Sequence, residues 1–210
     1  MNHISDFFLE PYRNTSVTLI ILEIIAFVFG ILSVWFAKKE QILVYPTGLV
    51  ATIITVYLLY KAEYFGDMMI NFYYSVMSFY GWWNWSRKKG DTYVVPISRT
   101  NTREKMIGFL LFLLTMIVTY GVYKVYDYQI EIANYIDIFT SGIFFTAMWY
   151  MANKKLENWT LWIIADIITI PLYAYRGLGI LSLQYVIFTI LAVQGYLQWK
   201  KSLDNNHQTA

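Results

Sequence analysis

The sequence predicts an all-α integral membrane protein with seven transmembrane helices, and three observations support this fold class. Hydrophobic residues make up 58% of the 210-residue chain and charged residues only 14%, well below the about 25% charge of a typical soluble domain. Seven stretches are long and apolar enough to cross about 30 Å of hydrocarbon. The connections between them are mostly short and carry the charges, as expected of segments outside a bilayer.

The predicted spans follow one another along the whole chain. They cover residues 17–37, 42–60, 68–85, 106–123, 133–152, 159–175 and 177–199. Residues 1–16 form an N-terminal segment, for which a short interfacial helix and a loose tail are both open. Residues 86–105 form a long basic loop, and residues 200–210 form a polar tail.

Lysine and arginine are distributed unevenly between the two sides of this topology. Twelve fall on one side, namely Lys38, Lys39, Arg87, Lys88, Lys89, Arg99, Arg103, Lys105, Lys154, Lys155, Lys200 and Lys201, and four on the other, namely Arg13, Lys61, Lys124 and Arg176. Basic residues favour the cytoplasmic side of membrane proteins. The N-terminus is therefore predicted outside and the C-terminus in the cytoplasm.

The chain also repeats itself at a constant offset of 114 residues. The stretch ATIIT at 51–55 falls on ADIIT at 165–169, and the same offset gives the identical pairs Trp35 and Trp149, Leu58 and Leu172, Gly81 and Gly195, and Trp85 and Trp199. Residues 17–85 and 133–199 are thus predicted to be two three-helix repeats, joined by a linker helix at 106–123. A single linker helix gives both repeats the same orientation. This 3+1+3 arrangement is the SWEET-like transporter architecture, with substrate near the midplane between repeats.

Three acidic residues lie inside predicted spans, where an ionisable side chain is a functional candidate by default. Asp166 is in the middle of its span and is the strongest of the three. Asp137 lies one turn from the start of its span, where it can simply reach the interface. For Glu23, in the outer third of the first span, structural hydrogen bonding and function are both open.

Asp166 shares a helix face with other large polar side chains. Trp159, Trp162, Asp166, Thr169 and Tyr173 recur at spacings of three and four residues, which places them on one side of a helix. A face that contains an aspartate is expected to look into the bundle rather than into lipid. Packing and an interfacial aromatic belt are the alternative roles for the tryptophans, and Trp159 at the span boundary fits the belt well.

Further candidates come from the third and seventh spans. Asn71 and Tyr74 lie on a polar side of the third span, and Gln184 lies in the seventh. Buried amides give orientation-specific hydrogen bonds, to a ligand or between helices. The predicted binding residues are therefore Trp159, Trp162, Asp166, Asn71, Gln184, Tyr74 and Thr169.

The charge of this interior limits the ligand and the chemistry. No lysine or arginine lies inside a predicted span, so a phosphate ester would find no buried counter-charge, whereas aromatic faces attract a flat cation. The chain has no cysteine, and its histidines, His3 and His207, are near the termini. We therefore expect no catalytic site, metal or cofactor. A formal charge of +2 gives no reason to expect nucleic acid as a partner.

Three runs resemble the PnuC family of vitamin transporters. They are SFYGWWNW at 78–85, KKLENWTLWIIAD at 154–166 and QGYLQWKK at 194–201. The resemblance extends from about residue 19 to residue 201, and its most specific part is the W-x-x-W-x-x-x-D pattern formed by Trp159, Trp162 and Asp166. The family resemblance implies that these three residues belong to the binding region.

The resemblance implies uptake of nicotinamide riboside across the bacterial cytoplasmic membrane. It implies a SWEET-like, usually trimeric facilitator that needs no ATP and works by alternating access, with a cytoplasmic kinase trapping the vitamin. Thiamine or riboflavin remains open as the cargo. An intramembrane enzyme and a receptor are the competing classes, and the absence of the usual nucleophiles argues against the enzyme.

Overall fold

The computed structural model of the protein describes residues 15–61, 65–89, 92–93, 95–126, 131–175 and 179–208. These residues form seven α-helices and a two-stranded hairpin. The helices are α1 (Val17–Lys38), α2 (Val44–Lys61), α3 (Phe65–Ser86), α4 (Thr102–Tyr126), α5 (Ile132–Ala152), α6 (Glu157–Tyr175) and α7 (Gly179–Gln208). Strands β1 (Lys88–Lys89) and β2 (Thr92–Tyr93) pair antiparallel between α3 and α4. Most of the predicted N-terminal segment, up to residue 14, lies outside the described residues.

A helix stands at each of the seven predicted spans, which confirms the predicted all-α membrane bundle. Among the described residues, α1, α2, α4 and α7 are long and apolar enough to cross a membrane by length and composition alone. Helices α3, α5 and α6 carry more of the polar side chains that face the interior. The protein is therefore a multi-pass membrane protein.

Helices α4 and α7 extend furthest beyond their predicted spans, and each does so for a local reason. Helix α4 begins at Thr102 because Asn101 and Glu104 form a reciprocal cap: the Glu104 N–H donates to Asn101 Oδ1, and the Asn101 N–H donates to Glu104 Oε2, both at 2.9 Å. Helix α7 continues into the predicted tail, where Leu203 is buried in the core. Apolar packing therefore carries this helix past the end of its span.

The packing order of the helices is compatible with the predicted 3+1+3 arrangement. Helices α1, α2 and α3 pack successively, as do α5, α6 and α7. The two groups meet where α1 contacts α7 and where α3 contacts α5. The offset of 114 relates α1 to α5 and α3 to α7, so these two contacts are equivalent positions of the repeat. Helix α4 packs mainly on α5 and lies outside both groups.

Matching hydrogen bonds join the two groups at one end of the bundle. The Trp85 indole N–H donates to the Met151 carbonyl at 3.3 Å, and the Trp199 indole N–H donates to the Ala37 carbonyl at 3.2 Å. The two donor residues are 114 positions apart in the sequence, and so are the two acceptor residues. The same end holds an ion pair between Glu40 and Lys154, and we call it the Glu40 end.

The Glu40 end depends on a close approach at Gly81. A Cβ added there would overlap the Tyr45 ring, so we expect Gly81→Ala to destabilise the protein by about 1–3 kcal/mol through overpacking. Thermal unfolding in detergent measures the effect. Gly121→Ala is the matched control, because a Cβ at Gly121 meets nothing within 4 Å. Equal stability of the two variants would contradict the prediction.

Candidate functional site

A cavity of about 880 Å³ lies inside the bundle, between the two groups of helices. It runs from the closed Glu40 end toward the opposite end, where the α2 and α5 termini contribute Lys61 and Asn134. All seven residues predicted to bind a ligand line it, namely Asn71, Tyr74, Trp159, Trp162, Asp166, Thr169 and Gln184. The structure thus brings together side chains from α3, α6 and α7, and their role in binding stays a prediction.

Helix α6 supplies one wall of the cavity. The five residues at spacings of three and four from Trp159 to Tyr173 all line it, so the helical period places one continuous face inward. Asp166 and Thr169 are 1% and 2% exposed. This wall therefore combines large aromatic surface with a carboxylate and a hydroxyl at membrane depth.

The Asp166 carboxylate is the most unusual group in the cavity. Its Oδ1 atom is buried and has no hydrogen-bond partner among the described residues. A buried carboxylate without a partner costs several kcal/mol unless a counter-charge or donor is supplied. Thr169 Oγ1, one turn away, is likewise buried and unpartnered. The pair is suited to a ligand that brings positive charge and hydrogen-bond donors.

Aromatic rings surround this carboxylate wall. Trp162 lies 6.0 Å from Tyr74 and 5.5 Å from Phe144 between ring centroids. Tyr185 lies 5.9 Å from Phe144 and 5.2 Å from Tyr173. These separations fall in the range of favourable aromatic contacts. The rings offer a flat, electron-rich surface beside an acidic group, which is the environment that a delocalised cation prefers.

The two predicted amides sit on other walls of the cavity. Gln184 extends from α7 toward α1, where a Cβ added to Gly30 would lie 3.0 Å from its Nε2 atom. Asn71 lines the cavity from α3. The amides and the α6 face therefore lie on three different helices around one space.

An aromatic floor closes the cavity at the Glu40 end. Tyr45 packs edge-to-face on Trp85 at 5.2 Å, and Trp159 packs edge-to-face on Trp199 at 5.4 Å. These pairs are related by the offset of 114, and Trp85 and Trp199 lie 6.0 Å apart. Lys154 lies beneath, with its ammonium 4.7 Å from the Trp85 ring centroid. Trp159 thus belongs to the floor rather than to an interfacial belt.

Two further acids line the cavity toward its other end. Glu23 and Asp137 occupy positions 114 residues apart on α1 and α5, and both border the cavity. Asp137 is only 7% exposed and accepts a hydrogen bond from the Tyr123 hydroxyl, so it does not reach out to the interface as its position near the span start suggested. The cavity is therefore acidic at two depths.

Two cavity residues that were not among the predicted ones carry buried polar atoms without a partner among the described residues. The Tyr45 hydroxyl and Ser141 Oγ are buried and unpartnered within the described part of the chain, and both residues border the cavity. The offset of 114 maps Trp159 onto Tyr45, so the repeat contained a signal for Tyr45. Ser141 lies one turn after Asp137, and nothing else in the sequence distinguishes it.

Comparison with known proteins agrees with this architecture. The chain matches the family described as nicotinamide mononucleotide transporter over residues 20–201. It is 22% identical over 204 residues to the nicotinamide riboside transporter PnuC of Escherichia coli strain K12, covering 86% of this chain and 85% of that protein. It is 29% identical over 190 residues to the nicotinamide riboside transporter PnuC of Neisseria mucosa, covering 84% and 71%.

The fold is also that of a solved relative. The crystal structure of the vitamin B3 transporter PnuC superposes with a TM-score of 0.70 and 26% sequence identity, covering 88% of this chain and 82% of that one. The sequence match spans nearly every helix, from α1 into α7. This chain therefore belongs to the nicotinamide mononucleotide transporter family, as its resemblance to PnuC predicted.

Proposed function

We propose that this protein carries nicotinamide riboside across the membrane. The observation that supports this most is the buried Asp166 carboxylate, whose Oδ1 atom has no partner among the described residues, in an aromatic wall of a cavity large enough for a small ligand. Nicotinamide riboside is a flat pyridinium cation joined to a sugar, so its ring fits the aromatic wall and its charge fits the carboxylate. The relatives compared above are named nicotinamide riboside transporters.

The charge of the cavity favours the riboside over the mononucleotide. A mononucleotide carries a phosphate, which needs basic partners. Among the described residues that line the cavity, Lys61 at the outer end of α2 is the only basic one, while Glu23, Asp137 and Asp166 are acidic. A phosphate would therefore meet like charge at two depths, and the uncharged sugar of the riboside would not.

Transport requires the cavity to open at the Glu40 end, which we place in the cytoplasm from the distribution of basic residues. At that end the two groups of helices are held together by the Trp85 and Trp199 hydrogen bonds and the Glu40–Lys154 pair. Rocking one group against the other would break these contacts and open the floor, which is alternating access around a fixed site.

The carrier is proposed to be a facilitator. No P-loop pattern occurs in the sequence, so the net direction of flux would come from a cytoplasmic kinase that phosphorylates the arriving riboside. The phosphorylated product no longer fits an acidic cavity, so it stays inside. A homotrimer, which the family resemblance implies, is proposed as the assembly, with each chain holding its own cavity.

Uptake by proteoliposomes tests this function. We expect saturable entry of labelled nicotinamide riboside down its gradient without ATP. Enclosing a riboside kinase with ATP should raise accumulation above the external concentration, because the product is trapped. Liposomes with kinase but without the carrier are the control. Uptake that needs ATP in the absence of kinase, or no uptake at all, would contradict the proposal. Unlabelled thiamine, another flat cation, serves as the competitor that tests the alternative cargo.

A further inference from the structure

We propose that Ser33, Tyr45 and Ser78 form a subsite for the sugar half of the ligand, an inference that rests on the proposed function. We call these three residues the hydroxyl cluster. They come from α1, α2 and α3, and all border the cavity. None of them belongs to the aromatic and acidic wall described above.

Gly48 on α2 lets the cluster converge. A Cβ placed there would lie 2.9 Å from Ser33 Oγ and 3.8 Å from Ser78 Oγ. The two hydroxyl oxygens therefore flank the same point of α2, and Gly48 itself lines the cavity. Tyr45 lies three residues earlier on that helix, so it is on the same face.

The hydrogen bonds already made determine what the cluster can bind. Ser33 Oγ donates to the Val44 carbonyl and Ser78 Oγ donates to the Tyr74 carbonyl, both at 2.8 Å. Because each serine has committed its only hydrogen, its oxygen is left as an acceptor. A ligand group that fits there must bring hydrogen-bond donors, as a sugar hydroxyl does.

Tyr45 supplies the complementary donor. The residue is fully buried, and its hydroxyl has no partner among the described residues. Its ring is held edge-to-face on Trp85 and pressed against Gly81, so the hydroxyl is already positioned before a ligand arrives. A sugar hydroxyl, which both donates and accepts, matches a site that offers one free phenol and two acceptor oxygens.

The hydroxyl cluster belongs to the first repeat and has no equivalent in the second. The offset of 114 maps Ser33 onto Ala147, Tyr45 onto Trp159 and Ser78 onto Ala192. The second repeat therefore has no hydroxyl at any of these positions, whereas it has the Asp166 wall. The duplicated fold thus presents two chemically different walls, which orients a ligand with its cationic ring toward α6 and its sugar toward α1, α2 and α3.

Two ligands and two tyrosine variants test the subsite. The ligands are nicotinamide riboside and 1-methylnicotinamide, which keeps the pyridinium ring and its charge but has no sugar. Calorimetry gives the first dissociation constant directly and the second by competition. In Tyr45→Phe we expect riboside affinity to fall about fivefold to tenfold, the effect of one hydrogen bond, and 1-methylnicotinamide affinity to change less than twofold.

Tyr150→Phe is the matched control, because that buried tyrosine donates to the Glu104 carbonyl and does not border the cavity; neither ligand should be affected. Ser33→Ala should show the same selective loss of riboside affinity, and it replaces Tyr45→Phe as the test variant if Tyr45→Phe folds poorly. Equal weakening of both ligands, no weakening of either, or equal wild-type affinity for the two would overturn the subsite. A wild-type protein that binds 1-methylnicotinamide but not the riboside would refute the proposed function itself.

Discussion

Asp166→Asn is expected to weaken nicotinamide riboside binding by roughly 10–100-fold while making the protein more stable. Its carboxylate is buried and one oxygen has no partner in the described part of the chain, so a cationic ligand gains a charge-assisted interaction that a neutral amide cannot give. Without ligand, the buried charge opposes folding, so its replacement by a neutral amide should raise the melting temperature by about 2–4 °C. Calorimetry and thermal unfolding of one sample measure both effects.

Asp137→Asn is the control for loss of an acidic charge in the same cavity. Its carboxylate is already bonded to the Tyr123 hydroxyl, so it has less to offer a ligand, and we expect a loss of affinity below about fivefold. It should also gain no stability, because the amide must replace an existing hydrogen bond. Riboside affinity that is unchanged in Asp166→Asn would remove Asp166 from the binding site.

Lys154→Met is expected to open the Glu40 end of the cavity. Lys154 is buried, pairs with Glu40 at 2.7 Å and lies over the Trp85 ring. Because Glu40 is partly exposed, its ion pair with Lys154 contributes little to the stability of the closed end, and the cation–π contact contributes more. Together the two contacts stabilise the closed end by about 1–2 kcal/mol. Its loss should shift the closed–open equilibrium about fivefold to thirtyfold toward the open state.

The absence of native cysteines makes this shift measurable. A single Ala192→Cys reporter lies on α7 at the cavity wall, and a membrane-impermeant thiol reagent added from the side of the Glu40 end would label it faster when the floor opens. Lys155→Met is the matched control, since Lys155 pairs with Glu104 away from the cavity. Similar labelling rates in the two methionine variants would show that Lys154 does not hold the floor closed.

The parts of the fold that depend on hydropathy and period could be predicted from the sequence. The seven helices stand at the predicted spans, because burial of apolar surface in lipid determines where a helix can cross. The α6 face from Trp159 to Tyr173 lines the cavity because a helix repeats every 3.6 residues. The ends of α4 and α7 were less predictable, because a local cap and packing of Leu203 determine them.

The hydroxyl cluster could not be predicted in the same way. Ser33 is an ordinary residue in an apolar helix and Ser78 lies on the polar side of the third span, but only the close approach at Gly48 brings their oxygens together. The aromatic floor is a similar case, since the sequence paired Trp85 with Trp199 but gave no contact between them. Such features depend on how several helices pack together, and residue spacing along one helix carries no information about that packing. The environment of Asp137 likewise differed from the prediction that its side chain reaches the interface. Asp137 accepts a hydrogen bond from Tyr123, which lies on another helix.

Titration calorimetry on the purified wild-type protein tests most directly whether this cavity binds a flat cationic riboside. Nicotinamide riboside, nicotinamide mononucleotide and thiamine would be titrated separately into the same preparation. We expect one riboside to bind per chain and the mononucleotide to bind at least tenfold more weakly, because its phosphate meets an acidic cavity with Lys61 as the only basic lining residue among those described. Tighter binding of the mononucleotide than of the riboside would contradict this expectation.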